Sequence, residues 1–247
     1  TKNWLPQFIS AYRKVLNAPG YQEKKSKENA LLQAQLDSLY KSDLPLAIIP
    51  SPVRNNLPVA FFISGDGGWT SFDQSVCEKL AEKGIPVVGL DAQKYFWNEK
   101  QPKEVANDIT PAVAHYMKLW NRQSFILIGY SFGACVAPFI ASNLPEEKKE
   151  QLKGIYCFSP DVTGDFEIHL TDMLHMARKD KYNVVNEIKQ IKALQPVCIF
   201  GNEENEETQK SFSENEIRIE KLPGTHHYNS DFNAITGIIL KDFTDTK

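Results

Sequence analysis

No apolar run in this 247-residue sequence approaches the roughly 18–20 residues a membrane-spanning helix needs. The longest, Leu57-Pro-Val-Ala-Phe-Phe-Ile63 and Ala134–Ala141, are far shorter, so no transmembrane helix is expected. No basic stretch leads into an apolar core of the secretory type, and the residues alone leave the compartment open. There is no excess of one charge: 28 Lys+Arg stand against 31 Asp+Glu, a net of −3. A nucleic-acid footprint wants a basic stripe, so that class of partner is excluded. Cysteine is scarce. Cys77, Cys135, Cys157 and Cys198 form no CxxC pair and no Cys/His cluster, which argues against zinc and thioredoxin-type sites. Three of them lie in apolar runs and are expected as buried free thiols. Neither H-E-x-x-H nor G-x-x-x-x-G-K-[ST] occurs, so a zinc hydrolase and a P-loop are not expected. Neither a metal nor a cofactor is implied.

What the sequence does have is core material. At 42% hydrophobic and 24% charged, with 14 Phe, 9 Tyr and 4 Trp, disorder is excluded. Residues 1–43 differ from the rest. A charge run, Gln22–Asn29, precedes Leu31, Leu32, Leu36, Leu39 and Tyr40 at helical spacing, which predicts a helical N-terminal extension.

From residue 44 to 247, short apolar runs alternate with helical stretches. Strands are expected at Leu46–Ile49, Val59–Ser64, Ile85–Leu90, Phe125–Gly129, Gly154–Phe158, Pro196–Gly201 and Ile217–Leu222. Helices are expected at Phe72–Lys83, Lys103–Trp120, Phe132–Leu144 and Ser230–Phe243. Continuous rather than alternating apolar strands mean burial on both faces, hence a mostly parallel central sheet with helices on both sides. Residues 159–195 break the alternation and read as an insertion near the carboxyl edge of the sheet, beside the site and shaping substrate choice.

Sites in such sheets lie beyond the carboxyl ends of strands, and four of these ends carry chemistry. Gly129-Tyr-Ser-Phe-Gly133 fits G-x-S-x-G between an apolar strand and a helix, the setting of a nucleophile elbow, and makes Ser131 the candidate nucleophile. Gly224-Thr-His-His-Tyr228 follows the last strand, where the general base is required. His227 is favoured, three residues after Gly224 and followed by an aromatic; His226 is the alternative. Gly201-Asn-Glu-Glu-Asn-Glu-Glu207 follows the preceding strand. It supplies a candidate acid in Glu204, with Glu203 and Glu206 as alternatives, although most of an acidic run is ordinarily a solvated face. The order Ser131, Glu204, His227 is that of an α/β-hydrolase. Ser64-Gly-Asp-Gly-Gly-Trp69 lets backbone amides approach a developing anion, so the Phe132 and Asp66 N–H groups are candidates for an oxyanion hole; a plain tight turn is the competing reading. Gly67, Trp69, Tyr130, Glu167, His169 and Asp231 complete the candidate substrate-binding set. Asp66, Glu167 and Asp231 could supply acidic partners at the pocket mouth.

Taken together, Ile63-Ser-Gly-Asp-Gly-Gly-Trp69, Asp91 through Tyr95-Phe-Trp97, Ile128-Gly-Tyr-Ser-Phe-Gly-Ala134, Phe166-Glu-Ile-His169 and Leu222-Pro-Gly-Thr-His-His-Tyr228 resemble the VirJ/AcvB family of bacterial virulence proteins. The lead-in Leu44-Pro-Leu46 to Pro50 resembles it too, and the likeness runs over about residues 44–243. It implies an α/β-hydrolase fold with a serine nucleophile, matched by Ser131, and a His pair matched by His226 and His227. It also implies a periplasmic or envelope location with peripheral contact to a membrane surface. The activity implied is hydrolysis of an ester, of which aminoacylated phosphatidylglycerol is the example, together with an association with type IV secretion. Cys135 stands where the family usually has Asp, and Thr225 where it has Gly. The alternative is a non-catalytic, envelope- or secretion-associated binding module on the same fold; a peptidase or thioesterase is a third reading. The oligomeric state is not legible from the residues.

Overall fold

The computed structural model describes residues 43–168 and 181–244. The expected N-terminal helical extension lies outside them, as do His169 and His175 of the insertion. Nine strands are seen there: β1 (Leu46–Ile49), β2 (Val59–Ile63), β3 (Val87–Leu90), β4 (Phe125–Tyr130), β5 (Leu152–Phe158), β6 (Thr163–Gly164), β7 (Tyr182–Asn183), β8 (Val197–Gly201) and β9 (Arg218–Leu222). The helices are α1 (Ser71–Glu82), α2 (Ala92–Tyr95), α3 (Pro102–Leu119), α4 (Phe132–Asn143), α5 (Glu146–Gln151), α6 (Val184–Gln190), α7 (Glu206–Ser213) and α8 (Phe232–Thr244).

Seven strands form one sheet in the order β1-β3-β2-β4-β5-β8-β9. Only the β1–β3 pairing is antiparallel; the other five are parallel. Every residue of β2, β3, β4 and β8 is buried, which is why these strands read as unbroken apolar runs. Phe62, Ile126, Ile128, Phe158 and Ile199 meet Val76 and Leu80 of α1 and Ile235 and Ile239 of α8 in one core; α3 packs on β2 and α4, and α4 packs on β2, β4, β5 and α6. All four cysteines are buried free thiols.

The chain runs outward from β2 to β3, then returns to lay β4 on the other side of β2. This reversal opens a crevice at the carboxyl ends of β2 and β4, where the elbow and the glycine-rich turn meet. The insertion holds a small antiparallel β6–β7 pair and α6. Two backbone bonds, Lys100 N–H to Phe166 O (2.9 Å) and Ile168 N–H to Phe96 O (2.8 Å), tie its start to the loop after α2. Besides α6 inside the insertion, three helices were not legible from periodicity. Two, α2 and α5, are too short to show any (Ala92–Tyr95, Glu146–Gln151). The third, α7, is capped by Asn205, whose side chain accepts from Thr208 N–H at 3.0 Å, and takes Glu206 and Glu207 into its first turn.

Candidate active site

The turn between β4 and α4 puts Ser131 at φ 54°, ψ −115°, a strained conformation for a residue with a side chain. The flanking glycines explain why it can be held. A Cβ at Gly129 would lie 2.2 Å from the Gly133 carbonyl oxygen, and one at Gly133 would lie 2.2 Å from the Ile63 oxygen. Only glycine lets strand, turn and helix approach this closely. Ser131 N–H donates to Phe158 O at 2.9 Å, which ties the elbow to β5. The Ser131 hydroxyl itself has no hydrogen-bond partner among the described residues.

The turn after β2 lies directly against the elbow: a Cβ at Gly65 would be 3.5 Å from that of Ser131. Asp66 and Phe132 both line the cavity into which Ser131 opens. Phe132 is the first residue of α4, where helical amides have no intrahelical acceptor.

Glu204 follows β8 in a tight turn. Its Oε2 accepts from Gly201 N–H (2.6 Å) and from the Ser159 hydroxyl (2.9 Å), and its Oε1 meets His226 Nδ1 at 2.8 Å. Burial alone would raise its pKa. The bonds to His226, Gly201 and Ser159 outweigh that and hold the carboxyl below the ordinary glutamate range. The acid is thus kept ionised, and a carboxylate on Nδ1 orients the imidazole so that Nε2 is left to act.

The structure brings His226, not the favoured His227, to this carboxylate. His226 shares the cavity with Ser131 and Glu204, and its backbone oxygen accepts from the Tyr130 hydroxyl at 3.3 Å. The His227 ring turns the other way, edge-on to Phe72 with centroids 5.2 Å apart. Glu203 and Glu206 are exposed.

Of the expected substrate-binding residues, Glu167 lines the cavity; His169 lies outside the described residues. Four others are placed elsewhere. Trp69 is packed inward: its Nε1–H donates to Gln74 Oε1 at 2.8 Å, and its ring fills the space a Cβ at Gly89 would need. Tyr130 is buried behind the His226 turn, where burial pushes its phenol pKa up. Gly67 is part of the exposed turn, its N–H donating to Asp66 Oδ1 at 3.0 Å. Asp231 caps α8, accepting from Ala234 N–H at 3.0 Å. Sequence reasoning missed Trp97, Asp161 and Asp165, which line the cavity, and Ser159, which touches the acid. Only Trp97 carried a signal, as an aromatic in the stretch after β3.

The cavity measures about 370 Å³. Asp66, Asp161, Asp165 and Glu167 line it, and no Lys or Arg among the described residues does. No cluster of three His, Cys, Asp or Glu side chains among the described residues could hold a metal ion. No described helix is long and apolar enough to cross a membrane.

A sequence model of the bacterial virulence protein (VirJ) family matches residues 58–247. The chain belongs to the VirJ family. No curated protein matches it. Among solved structures, this VirJ-family chain is similar to Est1E from Butyrivibrio proteoclasticus at 14% identity, covering 83% of this chain and 98% of that one, with a TM-score of 0.57. It is also similar to a thioesterase domain from the curacin biosynthetic pathway (15% identity, 79% and 94% covered, TM-score 0.54). A third is a putative α/β hydrolase of unknown function from Agrobacterium tumefaciens (15% identity, 83% and 93% covered, TM-score 0.53). At such identities the likeness speaks for architecture: the fold is that of the α/β hydrolases.

Proposed function

We propose that this VirJ-family protein is a serine ester hydrolase in which Ser131 is the nucleophile, His226 the general base and Glu204 the triad acid. The observation that carries the reading is the His226–Glu204 pair at 2.8 Å, in one cavity with a serine held at positive φ. Side chains from three strand ends rarely converge so without chemical use. The Ser131–His226 bond would form on substrate binding, as such contacts often tighten only in the complex.

In the first step His226 Nε2 takes the Ser131 proton as Oγ bonds to the ester carbonyl carbon, and the carbonyl π electrons move onto oxygen. The Phe132 and Asp66 N–H groups receive that oxyanion. Collapse expels the alcohol, which takes the proton back from Nε2 and leaves an acyl-Ser131 ester. Water then repeats the sequence, deprotonated by His226, and releases the acid. Glu204 stays ionised throughout and offsets the charge on the imidazolium.

The substrate class we favour is an aminoacyl ester of a lipid, such as aminoacylated phosphatidylglycerol, met at a periplasmic or envelope surface. An aminoacyl group carries an ammonium, and four carboxylates besides Glu204 around the cavity, with no Lys or Arg among the described residues lining it, suit a cation. The test is release of lysine or alanine from lysyl- or alanyl-phosphatidylglycerol vesicles by the purified protein and by Ser131→Ala, with fluorophosphonate labelling in parallel. Release by the wild type alone, with label on Ser131, is expected. Equal release by both proteins and no label at Ser131 would remove the enzymatic reading in favour of a binding module.

A further inference from the structure

Glu204 is held from behind by the hydroxyl of Ser159, which is backed in turn by that of Tyr228. Ser159 directly follows β5, at φ 53°, and is buried. Its N–H donates to Ile199 O at 2.7 Å, joining the ends of β5 and β8. Its hydroxyl has one proton, and that proton goes to Glu204 Oε2 at 2.9 Å. Ser159 Oγ also lies in hydrogen-bond contact with the hydroxyl of Tyr228, whose other neighbour is Ile199 O at 3.2 Å. With the Ser159 proton on the carboxylate, the one phenol proton of Tyr228 is shared between Ser159 Oγ and Ile199 O. The contacts form one chain ending on the carboxylate: the Tyr228 hydroxyl meets Ser159 Oγ, Ser159 O–H donates to Glu204 Oε2, and Glu204 Oε1 accepts from His226 Nδ1.

Tyr228 is 1% exposed and sits two residues after His226, in a turn where Tyr228, Asn229 and Ser230 all have φ between 51° and 56°. Three successive left-handed residues without a glycine form a costly turn. The buried hydroxyl contact fastens this turn to the ends of β5 and β8. The same contact thus fixes both partners of the acid–imidazole pair: the carboxylate through Ser159, and the His226 turn through Tyr228.

We infer that Ser159 and Tyr228 are positioning residues which lock the Glu204 carboxylate toward His226. The inference rests on the reading of Glu204 as the triad acid. The ionisable groups around that carboxylate are His226 and Tyr228 from the turn after β9 and Tyr130 at the end of β4; His226 is its one ion-pair partner among the described residues.

Ser159→Gly is the informative variant, because glycine accepts positive φ and removes the hydroxyl without adding strain. The carboxyl carbon of Glu204 is followed by ¹³C NMR through an acid titration, beside ester turnover and thermal melting. Expected are a Glu204 midpoint moved upward in Ser159→Gly by about one unit, the worth of one modest hydrogen bond to a charge, kcat lowered about tenfold with KM unchanged, and a melting temperature within a few degrees of wild type. Tyr228→Phe, which takes away the outer proton, should shift the midpoint in the same direction by less. A Glu204 midpoint and a kcat both at their wild-type values in Ser159→Gly would overturn the inference. Should the wild type show no ester turnover, the functional reading fails separately, and the carboxyl titration still decides whether Ser159 holds Glu204.

Discussion

Replacing Glu204 by glutamine changes almost no atoms and should nonetheless stop the reaction. The oxygen on the Gly201 and Ser159 side accepts two donors, at 2.6 and 2.9 Å. An amide NH₂ cannot accept either of them, so the glutamine oxygen must stay there and the NH₂ must face His226 Nδ1, 2.8 Å away in the parent. A donor opposite Nδ1 forces that nitrogen to be the acceptor and moves the ring proton to Nε2. The imidazole then presents N–H to Ser131 and cannot take its proton. Reversing the tautomer in this way in a serine protease costs about 10⁴ in kcat, equivalent to about 5.5 kcal/mol of transition-state stabilisation. A similar loss is expected here. It should appear in turnover of a short-chain p-nitrophenyl ester and as slowed fluorophosphonate labelling, while the melting temperature moves by no more than a few degrees because all the packing contacts persist. The reasoning fails if Glu204→Gln keeps more than about a tenth of wild-type turnover, or if Glu203→Gln or Glu206→Gln loses as much.

Two further outcomes follow from the same geometry. The folded-state pKa of Glu204 is depressed below 4.5, so its contribution to stability is fully present above that value and is lost as the pH falls through the folded pKa; denaturant midpoints of wild type and Glu204→Gln should differ near neutrality and converge in acid. Gly133→Ala should cost about 3 kcal/mol or more, because its Cβ would meet the backbone oxygens of Ile63 and Ser64 at 2.2 and 2.7 Å and neither can rotate away; a urea midpoint equal to that of the wild type would show that the elbow is not packed as described.

The elbow could be read from the sequence because its constraint is local. Gly129 and Gly133 answer to atoms within the turn and on the adjacent strand, and the apolar runs on each side announce β4 and α4. The parallel sheet was legible for a similar reason, since burial on both faces leaves unbroken apolar strands. Trp69 and Asp231 misled because their surroundings are set at a distance. Trp69 stands in a glycine-rich turn that borders the cavity, but the bare face of Gly89 on β3 gives its ring an inward berth. Asp231 stands near the His pair, but its carboxylate is taken by the first turn of α8. The cavity's other acids, Asp161 and Asp165, come from the insertion, which has no periodicity to place them.

The choice between His226 and His227 shows where local reasoning ends. Adjacent residues point to different sides of a turn, so whichever faces Glu204 is settled by how the turn is wound, and here three left-handed residues follow the pair. Tyr228, anchored to Ser159 and Ile199 O, fixes that winding. It sends the His226 ring to the carboxylate and leaves the exposed His227 ring on Phe72, edge-on at 5.2 Å. His226→Gln should therefore lose about 10³-fold or more in kcat, as loss of a triad base does. His227→Gln gives up exposed ring contacts to Phe72, Tyr130 and His226, worth about 1 kcal/mol of stability, and should keep turnover within about threefold of wild type. Ester hydrolysis by the two variants at equal folded concentration, checked by circular dichroism, reads the difference. If His227→Gln were the inactive one, the winding of this turn in solution would differ from that described, and with it the assignment of the base.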